Sequence, residues 1–165
     1  MRPRQPRRVS DAGLDLCQPP GTGGIPAGAI VYSKDGELPV EYLCPGDRII
    51  TRDRGLATLR AVTWRRARMR RIRFPARVMG QLRPIRDTAL PGCQGVLIRD
   101  WRAKALYGAE QAIIPAARLV DGTCVTDEGV AEWTLFTLKF DSPHIVYADG
   151  LELAAASAMT APAES

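Results

Sequence analysis

Apolar positions along this chain come in short bursts rather than helical stripes. Ile30-Val31-Tyr32, Arg48-Ile49-Ile50-Thr51, Val96-Leu97-Ile98, Ala112-Ile113-Ile114-Pro115 and Ile145-Val146-Tyr147-Ala148 are brief β-branched or aromatic runs. Turn chemistry separates them: Lys34-Asp35-Gly36, Pro45-Gly46-Asp47, Asp53-Arg54-Gly55, Asp121-Gly122 and Asp149-Gly150. Ala57–Trp64 alternates imperfectly, as a half-buried strand does, and Trp133–Phe140 alternates better. In Met69–Phe74 the alternation puts Arg70, Ile72 and Phe74 on one side, which predicts a strand with a strongly basic face. Leu38–Leu43 contains Pro39 and is expected to be one helical turn or an edge strand. Ala103–Gly108 fits a short helix or a second strand capped by glycine, and Pro115 suits the first position of a helical turn. Pro84–Gly95 reads as turn-rich, and the Ala-rich stretch from Ala154 as a weak helix or no element. Many short strands with Gly and Pro turns predict a mostly β domain.

The length, 165 residues, suits one domain of ordinary size. A composition 45% hydrophobic and 25% charged provides a core that needs no disulfide support. Cys17, Cys44, Cys93 and Cys124 are scattered, without a C-x-x-C pair. They therefore suggest neither a zinc site nor a disulfide framework, and Cys44, Cys93 and Cys124 are expected to be buried or half-buried apolar residues. No stretch is apolar enough to span a membrane. The opening Met1-Arg2-Pro3-Arg4-Gln5-Pro6-Arg7-Arg8 has no apolar segment behind its charges, so a cytoplasmic location without a signal peptide is expected.

The net charge of +5 is uneven. No Asp or Glu lies between Asp53 and Asp87, while arginines recur from Arg54 to Arg86. Such a stretch is either a solvated strand face or a surface for an acidic protein or nucleic acid. Neither a cofactor nor a metal is called for.

Three blocks of residues go further than the periodicity. The first runs without a gap from Gly24 through Gly36, Pro39-Val40-Glu41 and Leu43 to Pro45-Gly46-Asp47 and Ile49. The second is Ile98-Arg99-Asp100-Trp101, leading to Ile114-Pro115-Ala116-Ala117-Arg118-Leu119-Val120-Asp121-Gly122. The third is Asp141-Ser142-Pro143-His144-Ile145-Val146-Tyr147-Ala148-Asp149-Gly150. In this order and spacing they resemble the bacterial Hint domain, the self-cleaving β-fold of inteins and Hedgehog proteins. The resemblance implies a horseshoe or disc of short strands with one or two short helical turns. It divides the chain into a basic Pro/Gly-rich mobile tail (1–23), a Hint-like domain (24–152) and an Ala-rich tail (153–165).

The resemblance also implies a chemistry, and residues that do not suit it. The family starts with an N-to-S acyl shift, in which a cysteine at the first position of the domain attacks the preceding carbonyl. A histidine in the second block protonates the departing nitrogen, and Asp or His groups of the third block assist later steps. Here Gly24 stands at the nucleophile position and Trp101 at the histidine position, and an indole N–H neither takes nor gives a proton near neutral pH. Asp141 and His144, the only histidine, remain as relics that cannot begin the reaction. Cys17-Gln18-Pro19-Pro20-Gly21-Thr22 also resembles the family's opening, so an active autoprocessing domain using Cys17 is the alternative to an inactive binding or structural one. Binding of an anion or nucleic acid through Arg54–Arg86 is a third reading. Trp64 and Trp133, inside strands, are expected in the core.

Overall fold

The computed structural model describes residues 23–80 and 83–157; Cys17 and the basic segment before it lie outside the described residues. The chain is mostly strand, as the pattern predicts. β1 (Ile25–Pro26), β2 (Ile30–Ser33), β3 (Gly36–Pro39), β4 (Arg48–Thr51) and β5 (Gly55–Thr58) are short. They are followed by the long β6 (Ala61–Phe74), then β7 (Thr88–Pro91), β8 (Gly95–Ile98) and β9 (Ala112–Pro115). β10 (Thr126–Phe140), β11 (His144–Ala148) and β12 (Leu151–Ser157) complete the fold. The strands form one continuous network in the order β3-β2-β4-β11-β12-β10-β6-β7, with β1 added on β10, β5 on β4, and β8 and β9 joined through β12.

The main axis is the antiparallel pair of β6 and β10. Its register runs from Arg73 opposite Thr126 to Ala61 opposite Lys139, with one irregularity between Asp127 and Val130. The first segment that the alternation predicts, Ala57–Trp64, is thus split between β5 and β6, and β6 continues through the second, Met69–Phe74. Pro39 ends β3, and the next residues, Val40–Tyr42, make a single 3-10 turn, so both expectations for that stretch are met in succession. The only α-helix among the described residues, α1, is Trp101–Tyr107. The Asp100 carboxylate accepts the Arg102 N–H at its start, and Gly108 closes it in the left-handed region.

Two stretches differ from expectation. β7 forms inside the turn-rich Pro84–Gly95, because β6 is long enough to offer it a second edge, Arg71 to Phe74. The Ala-rich end is not a helix: β12 runs to Ser157, as Ala154 and Ala155 complete the ladder with Ile145 and His144. Small side chains suit this position, where β12 is paired on both edges.

Phe74, Phe140, Ile49, Leu59, Ile72, Ile98, Ile114, Leu135, Leu138 and Leu153 are the large side chains fully withdrawn from water. Each such burial contributes about 1.5–3 kcal/mol before the entropy cost of ordering. Trp133 joins this layer, its indole N–H donating to the Met69 carbonyl at 3.0 Å. Trp64, expected in the core, is 63% exposed, within the run Thr63–Arg66 of β6 that is exposed throughout. Cys93 is buried as expected, whereas Cys44 and Cys124 sit on exposed turns.

The arginine stretch is largely neutralised across the sheet. Arg68 pairs with Glu132, Arg70 with Asp127, Arg71 with Glu128 and Arg73 with Asp87. The acids missing from β6 are therefore supplied by its neighbours. A stronger cluster centres on Glu152, which is buried on β12 and contacts Arg83 at 2.7 Å, Arg99 at 3.0 Å and Arg52 at 3.7 Å. Three separate segments thereby converge on one carboxylate.

Removing a buried partner leaves unpaired charge, so Glu152→Ala is expected to cost about 3–5 kcal/mol in urea unfolding. The exposed Glu132→Ala should cost under about 1 kcal/mol. Equal small losses would show that water satisfies the three arginines. Acid should also weaken the fold. The Asp87 carboxyl lies below its ordinary range, chiefly because the Ala76 N–H donates to it, with Arg73 adding charge. Asp121 is lowered chiefly by the N–H groups of Thr123 and Cys124. A depressed folded pKa gives stability that is present above the unfolded value and lost as pH falls through the folded one. The urea midpoint should therefore drop on acidification below about pH 4, and less steeply in Asp121→Asn.

Candidate functional site

The peptide joining Gly23 to Gly24 is gripped on both sides. The Gly24 N–H donates to Gln94 Oε1 at 2.8 Å in a buried hydrogen bond. Gln94 Nε2 in turn donates to the carbonyls of Gly95 and Ala154, both at 2.9 Å. All the side-chain polar atoms of this fully buried glutamine are thus satisfied, which a buried amide requires. On the other side, the Arg65 guanidinium donates to the Gly23 carbonyl at 3.1 Å. Arg65 lies opposite Leu135 in the β6–β10 register, so the central strand pair positions it.

The backbone leaves no room for side chains here. Gly24 has φ of +109°, and a Cβ on it would lie 2.9 Å from the Leu135 Cβ. A Cβ on Gly23 would come within 2.7 Å of the Gln94 backbone and side chain. Both positions exploit glycine for close approach, and at Gly24 for a conformation that other residues rarely adopt.

Gly24, Trp101, Asp141 and His144, the motif positions of the sequence, do not gather into one site. Trp101 is on the surface of α1, 69% exposed, with the Arg102 guanidinium over its ring. It follows the far end of β8, whereas Gln94 immediately precedes the near end. Gln94, not Trp101, is therefore the side chain that meets the Gly24 amide. Sequence reasoning missed it because Pro91-Gly92-Cys93-Gln94 shares no residue type with the family's Ser-x-x-His pattern. Its one signal was a polar residue directly before an apolar run.

Asp141 and His144 are close to each other and apart from Gly24. β1 pairs Ile25 with Phe136, and Phe140 is four residues farther along β10, about 13 Å at strand rise. Arg60 holds Asp141 with two bonds of 2.9 Å, and this lowers the carboxyl below its ordinary range. His144 is buried, its ring edge-on to Phe140. Its Nδ1 lies 2.9 Å from Asp53 Oδ2, and its Nε2 lies 3.4 Å from Ser142 Oγ. The other oxygen of Asp53 accepts the Ile145 N–H at 3.0 Å. Desolvation pushes the Asp53 carboxyl up, but the Ile145 and His144 hydrogen bonds outweigh it, and the net shift is downward. Asp53 was legible only as a turn residue, since nothing local links it to a histidine 91 positions away. No group of His, Cys, Asp and Glu side chains among the described residues could hold a metal.

Solved structures share this architecture. A DnaB intein from Synechocystis sp. PCC 6803 superposes with a TM-score of 0.59 at 12% identity, covering 81% of this chain and 99% of that one. A bacterial intein-like domain from Clostridium thermocellum gives 0.54 at 12% identity, covering 82% and 99%. At such identity these matches establish the fold alone. No curated protein matches the chain. The Hint domain family matches residues 25–158, most of the sequence and all twelve strands above, and the chain belongs to that family.

Proposed function

We propose that this chain is a Hint domain that does not cut itself and acts as a binding or structural module with its N-terminal segment still joined. One observation carries the reading: the Gly23–Gly24 peptide, at the family's cleavage position, has a donor on its carbonyl and an acceptor on its N–H, and among the described residues no thiol or hydroxyl is hydrogen-bonded to it. Arg65 on the Gly23 carbonyl would draw charge onto that oxygen, as the donor of an oxyanion hole does. Gln94 on the Gly24 nitrogen occupies the place of a leaving-group acid. A primary amide has no proton to transfer near neutral pH, and Gly24 has no thiol or hydroxyl. The same contacts therefore serve as a clamp that fixes the junction.

The full chain carrying an N-terminal fusion is expected to keep its intact mass after incubation with a thiol or hydroxylamine. Release of the fusion near residue 17, abolished in Cys17→Ala, would overturn the reading in favour of Cys17 as nucleophile. Gly24→Cys is expected to stay uncut as well, because Gln94 cannot protonate the departing nitrogen. Thioester cleavage by hydroxylamine in that variant would show that the missing side chain alone stops the reaction. Gly24→Ala should lose about 1–3 kcal/mol of stability, since it forces a β-carbon onto a positive φ and into Leu135. A neutral urea midpoint would refute the clamp.

A further inference from the structure

The cluster just beyond the C-terminal end of β10 has a geometry that the self-cleavage reading does not use. We propose that Ser142, His144 and Asp53 form a nucleophile–base–orienter set able to hydrolyse small acyl esters, with Ser142 Oγ as the nucleophile. The inference is independent of whether the chain cuts itself, because none of the three touches the Gly23–Gly24 junction.

The arrangement follows from hydrogen-bond logic. An ionised carboxylate only accepts, so His144 Nδ1 carries the proton toward Asp53 Oδ2 at 2.9 Å. That tautomer leaves the Nε2 lone pair facing Ser142 Oγ at 3.4 Å, a loose contact of the kind that tightens when substrate binds. Asp53 is itself fixed, since its second oxygen accepts the Ile145 N–H. Phe140 meets the imidazole edge-on, its ring centroid 5.5 Å away. The histidine is thus buried and oriented while Ser142 is exposed. Serine–histidine–aspartate sets are recognised by these roles rather than by chain order.

The site also has space. A cavity of about 390 Å³ opens over Ser142 and His144, walled by Leu56 and Phe140 and rimmed by Arg54 and Arg60. Arg60 is paired with Asp141. Arg54 makes no salt bridge among the described residues and remains to meet the carbonyl oxygen of a substrate. The volume suits a short acyl group. Ser142 Oγ bonds to the carbonyl carbon of the ester as its proton passes to His144 Nε2. The carbon–oxygen bond to the alcohol then breaks, and the alcohol leaves with that proton. Water attacks the acyl-serine, gives its proton to His144, and the carboxylic acid departs as Ser142 regains its hydrogen.

The test uses the full chain and a fluorophosphonate probe, which phosphonylates an activated serine with loss of fluoride. One adduct on Ser142 is expected by intact mass and peptide mapping, together with p-nitrophenyl acetate hydrolysis above background. Both should vanish in Ser142→Ala, whose exposed position leaves folding intact. His144→Gln should slow labelling by about 100-fold or more. Ser142→Cys supplies a readout that needs no ester: the introduced thiol should alkylate with iodoacetamide faster than the exposed Cys44 of the same molecule. No adduct on the folded chain, an adduct elsewhere, or an introduced thiol that reacts no faster than Cys44 would each overturn the proposal.

Discussion

The antiparallel register of β6 and β10 is the constraint on which the remaining structure depends. It runs almost the full length of both strands and fixes, in one step, which arginine meets which acid. It also sets both candidate sites. Leu135 and Arg65, opposite each other in that register, bound the Gly23–Gly24 junction. Farther along the same strand, Phe140 delivers Asp141, Ser142 and His144 into one cavity. A slip of β10 by one residue against β6 would turn Leu135 to the face opposite Arg65, since successive side chains alternate. Register here is a matter of chemistry as well as packing.

Much of this is legible in residue order alone. Short β-branched runs between Asp-Gly and Pro-Gly turns point to a mostly β domain, and the three motif blocks point to its family. What stays hidden depends on partners distant in sequence. β7 lies in a segment rich in turn residues and becomes a strand only because β6 offers it an edge. The alanines after Leu153 look like weak helix formers until β11 closes against them. Trp64 has the composition of a core residue and the exposure of a surface one, like its neighbours in Thr63–Arg66. The site is least legible of all. Glycine at position 24 is visible as a missing side chain, but motif order points to Trp101 as its counterpart, well beyond Gln94 in the chain. Only three-dimensional contact separates a buried glutamine that meets an amide from an exposed tryptophan on a helix.

The surroundings of Gly24 are filled and paired. A vacant polar pocket would leave the Gly24 N–H and the Ala154 carbonyl without partners, and unpaired buried groups are costly. Gln94 satisfies both with one side chain. The amide also reaches the Gly95 carbonyl, using both donor hydrogens and its oxygen, whereas a neutral imidazole has one donor and one acceptor and would leave one of the three partners unmet. Glutamine is therefore the better residue for a junction that stays joined, and histidine the better one for a junction that opens.

The two glycines and the glutamine are consequently coupled. Gly23 packs so closely on Gln94 that a β-carbon would overlap its backbone, and Gly24 can present its N–H to Oε1 only from a backbone conformation closed to cysteine without strain. Restoring a thiol at position 24 would turn the chain away from Leu135 and break the hydrogen bond that now holds it. Restoring an imidazole at position 94 would leave the Ala154 or Gly95 carbonyl unpaired. Each change therefore dismantles part of the clamp. The strand network that places Leu135 against Gly24 thus also fixes the clamp, while Ser142, outside that packing, faces an open cavity.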